Sequence, residues 1–175
     1  MNTHELTGLV ENCPVLMRTF LGVYPSDMLP TRIPLPCSLI ANLDTSEERG
    51  SHWVCFYFPN HGLPEYMDSY GMDPLASFEE FMGYDYRCNT HLLQSPLSAV
   101  CGQYCLYYLL QRHLKRSMDG VLSNFKDGDY AYNDNLVSRF VDRHFGVRLP
   151  MFDFGWQFEQ ISKSLRARKH KNKKQ

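Results

Sequence analysis

Long hydrophobic runs are missing from this chain of 175 residues. The longest, at 53–59 and 105–110, are far shorter than the roughly 20 apolar residues that a membrane-spanning helix needs. Residues 1–8 are polar and lack the basic start and apolar core of a signal peptide. We therefore expect a soluble intracellular protein that does not associate with a membrane.

Cysteine spacings typical of metal sites are missing as well. No two cysteines form a C-x-x-C pair, and Cys101, Cys105 and His113 do not have the spacing of zinc ligands. Six cysteines can make a disulfide framework, but a chain of this length does not need one, and Cys55 and Cys105 fall inside predicted buried elements. We therefore expect free thiols in a reducing compartment and no metal or other small-molecule cofactor.

Acidic residues are absent from the last thirteen positions, 163–175, which hold seven lysines and arginines. The whole chain has 18 basic and 19 acidic residues, so 1–162 keeps eleven basic against nineteen acidic, a charge of about −8. A basic tail on an acidic body indicates either nucleic-acid contact or a solvated, disordered end. Since 1–162 shows no repeat and no internal linker, we predict one domain followed by this tail.

Hydrophobic periodicity predicts an α+β fold with a central mixed β-sheet packed by helices. The predicted strands are Cys37–Leu43, Trp53–Phe58 and Leu63–Asp68, and the predicted helices are 3–12, Pro74–Tyr84, Cys101–Arg116 and Asn133–Phe145. The strand at 53–58 is apolar on both faces, as in the interior of a sheet covered by helices. The run 104–110 covers most of the circumference of its helix, which is therefore predicted to be central and buried, with Cys101 at its N-terminus.

The segment 94–102 carries the strongest chemical signal, because it leads directly into that central helix. A cysteine in the first turn of a helix lies where unpaired N–H groups and the helix dipole favour its thiolate, as predicted for Cys101. Gln94, seven residues upstream, can supply a side-chain N–H to an oxyanion formed beside the sulfur. His52 and Asp68, at the ends of two neighbouring strands, supply a base and an acid to orient it.

The contact between His52 and Asp68 is predicted from the hairpin that joins the two strands. If the strands pair symmetrically about Asn60, His52 lies directly opposite Asp68 on the same face. Cross-strand neighbours have Cβ atoms about 4.5–5.5 Å apart, close enough for a carboxylate to hold an imidazole. A shift of one residue would place the two side chains on opposite faces, so the prediction depends on register.

Each of these residues also has an interpretation without catalysis. His52 can be a histidine at a strand edge, Asp68 an Asx-turn residue, and Cys101 a buried structural thiol. His144 is a rival base, whereas His113 lies three turns along the same helix from Cys101 and is too far away. The order and spacing of the four residues together favour a nucleophilic cysteine.

The same order of motifs resembles the adenovirus-type cysteine endopeptidases (adenains), within the larger group that also holds the Ulp/SENP SUMO proteases. That group is similar in running His-Trp, then an acid, then Gln, then Cys-Gly along the chain. The resemblance covers most of residues 13–116, through Cys13-Pro14, 20–24, Gly50-Ser51-His52-Trp53, Gln94 and Cys101-Gly102. It implies that His52 is the base and Asp68 its orienting acid. It also implies that Cys101 is the nucleophile, with Gln94 and the Cys101 N–H as oxyanion donors.

Local details divide between the two branches of that group. Six residues separate Gln94 from Cys101, whereas SUMO proteases usually have five, and Val100 stands where those proteases usually have Asp. Asp68-Ser69, in contrast, is similar to the SUMO proteases. The adenain resemblance implies cleavage of viral capsid or core precursor proteins near glycine, in a virion or a host nucleus. The alternatives are a SUMO- or ubiquitin-like-specific isopeptidase and an inactive nucleic-acid-binding structural protein.

Activators are also implied by the resemblance. Adenain is activated by DNA and by a short viral peptide that forms a disulfide with a cysteine upstream of the oxyanion glutamine. Residues 87–92 resemble that segment, which implies Cys88 as the site for a peptide cofactor, although Cys88 can equally be a surface or half-buried thiol. The basic tail at 163–175 is a candidate contact for DNA, and we expect the protein to be a monomer.

Overall fold

One five-stranded sheet organises the chain, which the computed structural model describes for residues 1–83 and 85–146. The strands are β1 (Phe20–Tyr24), β2 (Cys37–Asn42), β3 (Trp53–Phe58), β4 (Glu65–Met67) and β5 (Arg87–Cys88), and they lie side by side in chain order. The outer pairs β1–β2 and β4–β5 are parallel, and the inner pairs β2–β3 and β3–β4 are antiparallel. The sheet is therefore mixed and the fold is α+β, as predicted.

Helices cover this sheet on both faces. They are α1 (Thr3–Glu11), α2 (Pro14–Met17), α3 (Ala76–Met82), α4 (Cys101–His113), α5 (Met118–Leu122) and α6 (Tyr130–Phe145). The four predicted helices are confirmed, and α6 begins three residues earlier than predicted because the Asp129 side chain accepts a hydrogen bond from Tyr132 N. The elements β1, α2, α5 and β5 were not predicted, since each has at most five residues and so few residues carry almost no periodic signal.

Strand β3 is buried along its whole length, with alternate residues packing on opposite faces of the sheet. Trp53, Cys55 and Tyr57 pack in the cluster that includes α4, while Phe56 packs in the cluster that includes Phe78 of α3. The first ten residues of α4 are all buried, which confirms the prediction of a central helix. This packing brings the N-terminal end of α4 against the start of β3.

The predicted register between β3 and β4 is wrong by two residues. Cys55 pairs with Met67 and Tyr57 with Glu65, so the strands are symmetric about residue 61 rather than 60. The connection spans 59–64 and is longer than the four-residue turn expected, because β4 begins only at Glu65. A slip of two residues returns every side chain to its original face, so His52 and Asp68 still share one side of the sheet.

Two further predictions concern the C-terminal tail and membrane-spanning helices. The domain boundary at 162 and the basic tail at 163–175 lie outside the described residues. Within the described residues, no helix combines the length and apolar character needed to cross a bilayer.

Candidate active site

Three of the four predicted site residues lie at the ends of helices and strands. His52 directly precedes β3, Asp68 directly follows β4, and Cys101 is the first residue of α4. Gln94 lies in the loop before α4. All four side chains are buried, with exposed fractions of 3% or less.

His52 and Asp68 are in direct side-chain contact. The imidazole Nε2 lies 2.6 Å from Asp68 Oδ1, and the same oxygen accepts a hydrogen bond of 2.8 Å from Tyr70 N. Asp68 is therefore an Asx-turn residue and a partner of the histidine at once, because one carboxylate oxygen accepts both bonds. The other oxygen, Oδ2, is buried and makes no hydrogen bond.

The protonated form of His52 is stabilised by its neighbours. Burial by itself lowers the pKa of the imidazole, but the charge and hydrogen bond of Asp68, together with Cys101, outweigh burial and raise the pKa to about 10. Asp68 holds Nε2, which leaves Nδ1 as the ring nitrogen available to the thiol. Nδ1 is buried and has no partner in hydrogen-bonding geometry, so the ring and the thiol interact without a well-formed bond.

Cys101 is surrounded by groups that stabilise a thiolate. Burial raises the pKa of the thiol, but the interactions with His52 and with the backbone N–H of Trp53 outweigh burial, and the net shift lowers the pKa. Val100, the residue before the helix, supplies no side-chain cap, so the N–H groups of the first turn keep their capacity to bind an anion. The expected pair is a thiolate beside an imidazolium.

Gly102 allows the first helix to approach this end of α4. A Cβ at this position would lie 3.1 Å from Leu6 and 3.2 Å from Met1, closer than side chains normally pack. Met1 also accepts a hydrogen bond of 2.8 Å from the indole of Trp53, whose side chain is 7% exposed. A larger residue at this position would therefore require the Leu6 and Met1 side chains to shift by a few tenths of an ångström.

A buried asparagine holds the segment that carries Asp68. Asn89 accepts a hydrogen bond from Asp68 N at 2.9 Å and donates one to Asp68 O at 2.6 Å, as a neighbouring strand would. Three residues after Asp68, Gly71 adopts φ +63°, and a Cβ there would lie 2.5 Å from the carbonyl oxygen of His91. The loop after β5 therefore fixes the position of the acid.

Gln94 is oriented by the same segment. Its backbone N donates to Ser69 O at 3.0 Å, and its Oε1 accepts from the Ser69 hydroxyl at 2.8 Å. Because Oε1 is engaged in this way, the amide nitrogen points away from Ser69, where it donates to Ser98 O at 2.9 Å and to the Tyr70 hydroxyl at 3.2 Å. Residues 68–70 thus contact both the histidine and the glutamine.

The other candidate histidines are engaged elsewhere. His113 lies between the Thr19 hydroxyl and Leu109 O, and burial lowers its pKa. His144 stacks on Phe140 and contacts the Phe140 carbonyl in α6. Neither ring takes part in the contacts around Cys101 described above.

The remaining thiols have no comparable environment. All six cysteines are free. Cys105 is buried, as predicted, and burial raises its pKa. Cys88 is half-buried in the edge strand β5, where burial and Asp73 raise its pKa.

Across residues 1–83 and 85–146, no three potential ligands are grouped as a metal ion would require.

Three residues of the site were missed by sequence reasoning, namely Ser69, Tyr70 and Asn89. Their types occur throughout loops, and only their contacts with Asp68 and Gln94 distinguish them. The one available signal was proximity in sequence, since Ser69 and Tyr70 directly follow the predicted acid.

Comparisons with known proteins find partial matches to solved structures at low sequence identity. No protein-family model and no curated protein matches the chain. Among solved structures, it is similar to the selenomethionine form of the ASFV pS273R protease, with a TM-score of 0.47, 20% identity, and 68% of this chain and 46% of that chain covered. A second structure of the ASFV pS273R protease gives a TM-score of 0.44 and 17% identity, with 71% of this chain and 45% of that chain covered. The chain therefore spans less than half the length of these proteins.

Proposed function

We propose that the chain is a cysteine endopeptidase that uses Cys101, His52 and Asp68 with Gln94 at the oxyanion. The observation that carries the proposal is a thiol with a lowered pKa at an uncapped helix N-terminus, next to a histidine held by a buried carboxylate. This arrangement supplies a nucleophile, a proton donor and an anion site within one cluster. The resemblance of the motif order to adenains adds support.

The first half of the reaction forms a thioester. The Cys101 thiolate attacks the scissile carbonyl carbon, and the C=O electron pair becomes an oxyanion that accepts hydrogen bonds from the N–H groups of the first turn and from Gln94. As the tetrahedral intermediate collapses, the C–N bond breaks. His52 then gives its Nδ1 proton to the leaving amine.

The second half releases the acyl group. Neutral His52 takes a proton from water, the resulting hydroxide attacks the thioester, and the Cys101 thiolate leaves. Asp68 keeps its hydrogen bond to Nε2 and stabilises the imidazolium that reforms. Thiolate and imidazolium are thereby restored for the next turnover.

The substrates that we propose are structural precursor proteins of a virus or virus-like element, cleaved near glycine. Support for this finer assignment comes from the adenain-like spacing between Gln94 and Cys101 and from Val100. A peptide activator at Cys88 and DNA bound by 163–175 belong to the same proposal. The raised pKa of Cys88 lowers its thiolate fraction near neutral pH, so its disulfide with a peptide is expected to form slowly.

The test compares alkylation with cleavage in the full chain. Iodoacetamide labelling of each cysteine, followed by mass spectrometry across pH, is expected to show Cys101 reacting at a lower pH than Cys88. His52→Ala is expected to remove that advantage. If Cys101 reacts no faster than Cys88, with and without DNA and a cysteine-containing peptide, the proposal fails.

Cleavage then separates an endopeptidase from an isopeptidase. Peptides with internal glycine and fusions to a ubiquitin-like C-terminus are incubated with the wild type and with Cys101→Ala as the control. Cleavage of the peptides by the wild type alone supports the endopeptidase. Cleavage of the fusions alone would replace it with the isopeptidase.

A further inference from the structure

The Tyr70 hydroxyl lies beside the amide of Gln94 and keeps its own proton available. It accepts a hydrogen bond of 3.2 Å from Gln94 Nε2, so its O–H is free to donate. Within residues 1–83 and 85–146, the hydroxyl makes no other hydrogen bond. A hydroxyl that accepts one bond becomes a better donor for the next.

The Gln94 amide, in contrast, has both of its hydrogens engaged, one by Ser98 O and one by Tyr70. Its oxygen is held by Ser69, so the amide cannot turn without breaking several bonds. Gln94 is fully buried, whereas Tyr70 is partly exposed. Of these two hydrogen-bonded side chains, Tyr70 is therefore the one that reaches solvent.

The position of Tyr70 also relates it to the reacting groups. Its ring centroid lies 4.6 Å from that of His52, and its backbone N–H donates to Asp68. Burial, followed by the negative charge at Cys101, raises the pKa of Tyr70 above its ordinary value. The hydroxyl consequently keeps its proton while the cysteine is a thiolate.

We propose that Tyr70 is a further catalytic residue, whose hydroxyl donates a hydrogen bond to the oxyanion while Gln94 holds it in place. No proton is transferred in this step. The hydrogen bond from the Tyr70 O–H to the substrate's carbonyl oxygen becomes shorter as negative charge develops on that oxygen. Gln94 Nε2 continues to donate to the Tyr70 hydroxyl oxygen. This inference rests on the proposed function and changes one part of it: because both Gln94 hydrogens are engaged, Tyr70 replaces Gln94 as the side-chain donor at the same acyl-transfer site.

The test uses two reagents that react at one sulfur. Acetylation by p-nitrophenyl acetate passes through an oxyanion, whereas alkylation by iodoacetamide displaces iodide and forms none. Tyr70→Phe removes only the hydroxyl and keeps the ring beside His52 and the N–H to Asp68. Both rates at Cys101 are measured by mass spectrometry in the full chain.

We expect Tyr70→Phe to slow acetylation of Cys101 by about tenfold or more, since loss of one oxyanion donor costs about a hundredfold to a thousandfold in peptide hydrolysis. Alkylation and its pH dependence are expected to stay at the wild-type level. Tyr24→Phe is the matched control. It loses one phenol hydrogen bond, to Leu21 O in β1, on the sheet edge away from β4 and β5.

Three outcomes would overturn the inference, and they can be told apart. Unchanged acetylation in Tyr70→Phe, with rapid acetylation of Cys101 in the wild type, rejects the role of Tyr70 and leaves the protease proposal intact. An equal fall in acetylation and alkylation shows that the hydroxyl acts on the thiolate instead. Acetylation of wild-type Cys101 no faster than that of Cys88 rejects the proposed function together with this inference.

Discussion

Two buried carboxylates, Glu65 and Asp68, lie three residues apart at the two ends of β4, and their oxygens differ in the hydrogen bonds that they accept. Glu65 receives hydrogen bonds on both oxygens, from Arg112 at 2.6 and 2.8 Å and from the Tyr108 hydroxyl at 2.7 Å. Asp68 receives both of its side-chain bonds on Oδ1 and none on Oδ2. Burial is almost the same, with 3% of Glu65 and 0% of Asp68 exposed.

The difference lies in the partners. Arg112 keeps its charge at all ordinary pH values, so the Glu65 cluster is a fixed ion pair that contributes to structure. His52 can lose its proton and leaves Nδ1 unpaired beside a thiol, so the Asp68 cluster can change its charge during a reaction. Incomplete satisfaction of buried polar atoms therefore marks the reactive carboxylate, and complete satisfaction marks the structural one.

Asp68→Asn is expected to have the largest effect on activity, because it removes the charge that holds His52 protonated. We expect the rate of acyl transfer at Cys101 to fall by about a hundredfold to ten-thousandfold, the range for loss of general acid–base catalysis. The measurement is kcat with a cleavable peptide, alongside urea unfolding. A loss of activity that merely follows a loss of folded protein would contradict this prediction.

Glu65→Ala is expected to affect folding instead. It leaves Arg112 and the Tyr108 hydroxyl without their buried acceptor, which lowers the free energy of unfolding by about 3 kcal/mol or more. Urea denaturation measures this, and alkylation of Cys101 in the remaining folded protein should keep the wild-type pH dependence. A shifted pH dependence at Cys101 would show that the two carboxylates are not independent.

The pH dependence of acyl transfer is expected to separate the clusters further. Activity requires thiolate and imidazolium together, so it rises through the lowered pKa of Cys101, below 9.0, and falls as pH passes the His52 pKa of about 10. Asp68→Asn removes a group that raises the His52 pKa, so the alkaline limb should move to lower pH. Glu65→Gln should leave the alkaline limb at the wild-type pH. The measurement is the pH–rate profile of the wild type, Asp68→Asn and Glu65→Gln.

Arg87→Ala is expected to have the smallest effect. The Arg87–Asp119 pair has a distance of 2.7 Å, shorter than many buried contacts, yet its side chains are 42% and 79% exposed. Surface pairs of this kind contribute about 0–1 kcal/mol because water and side-chain entropy offset the attraction. The measurement is urea unfolding. If Arg87→Ala lowered the free energy of unfolding as much as Glu65→Ala does, the distance between the charges, rather than their burial, would determine the strength of these ion pairs.

The sequence predicted that Asp68 and His52 lie on the same face of the sheet, but it did not predict the correct strand pairing. The alternation of side chains in strands places both residues on one face whether the pairing is symmetric about residue 60 or 61. The pairing itself depends on the length of the connection at 59–64, which no local pattern determines. The correct contact was therefore predicted from an incorrect register.

By itself, the sequence determined the four longer helices, the three central strands and the order of the reactive residues along them. Apolar periodicity specifies the central helix that begins at Cys101 and the buried strand that begins after His52, because local hydrophobic patterns reflect which faces must leave water. Only the tertiary structure decided that Ser69, Tyr70 and Asn89 surround the acid and the glutamine. Hydrogen bonds between distant loops depend on ångström-scale placement, and that placement is set by packing of the whole chain rather than by any local pattern.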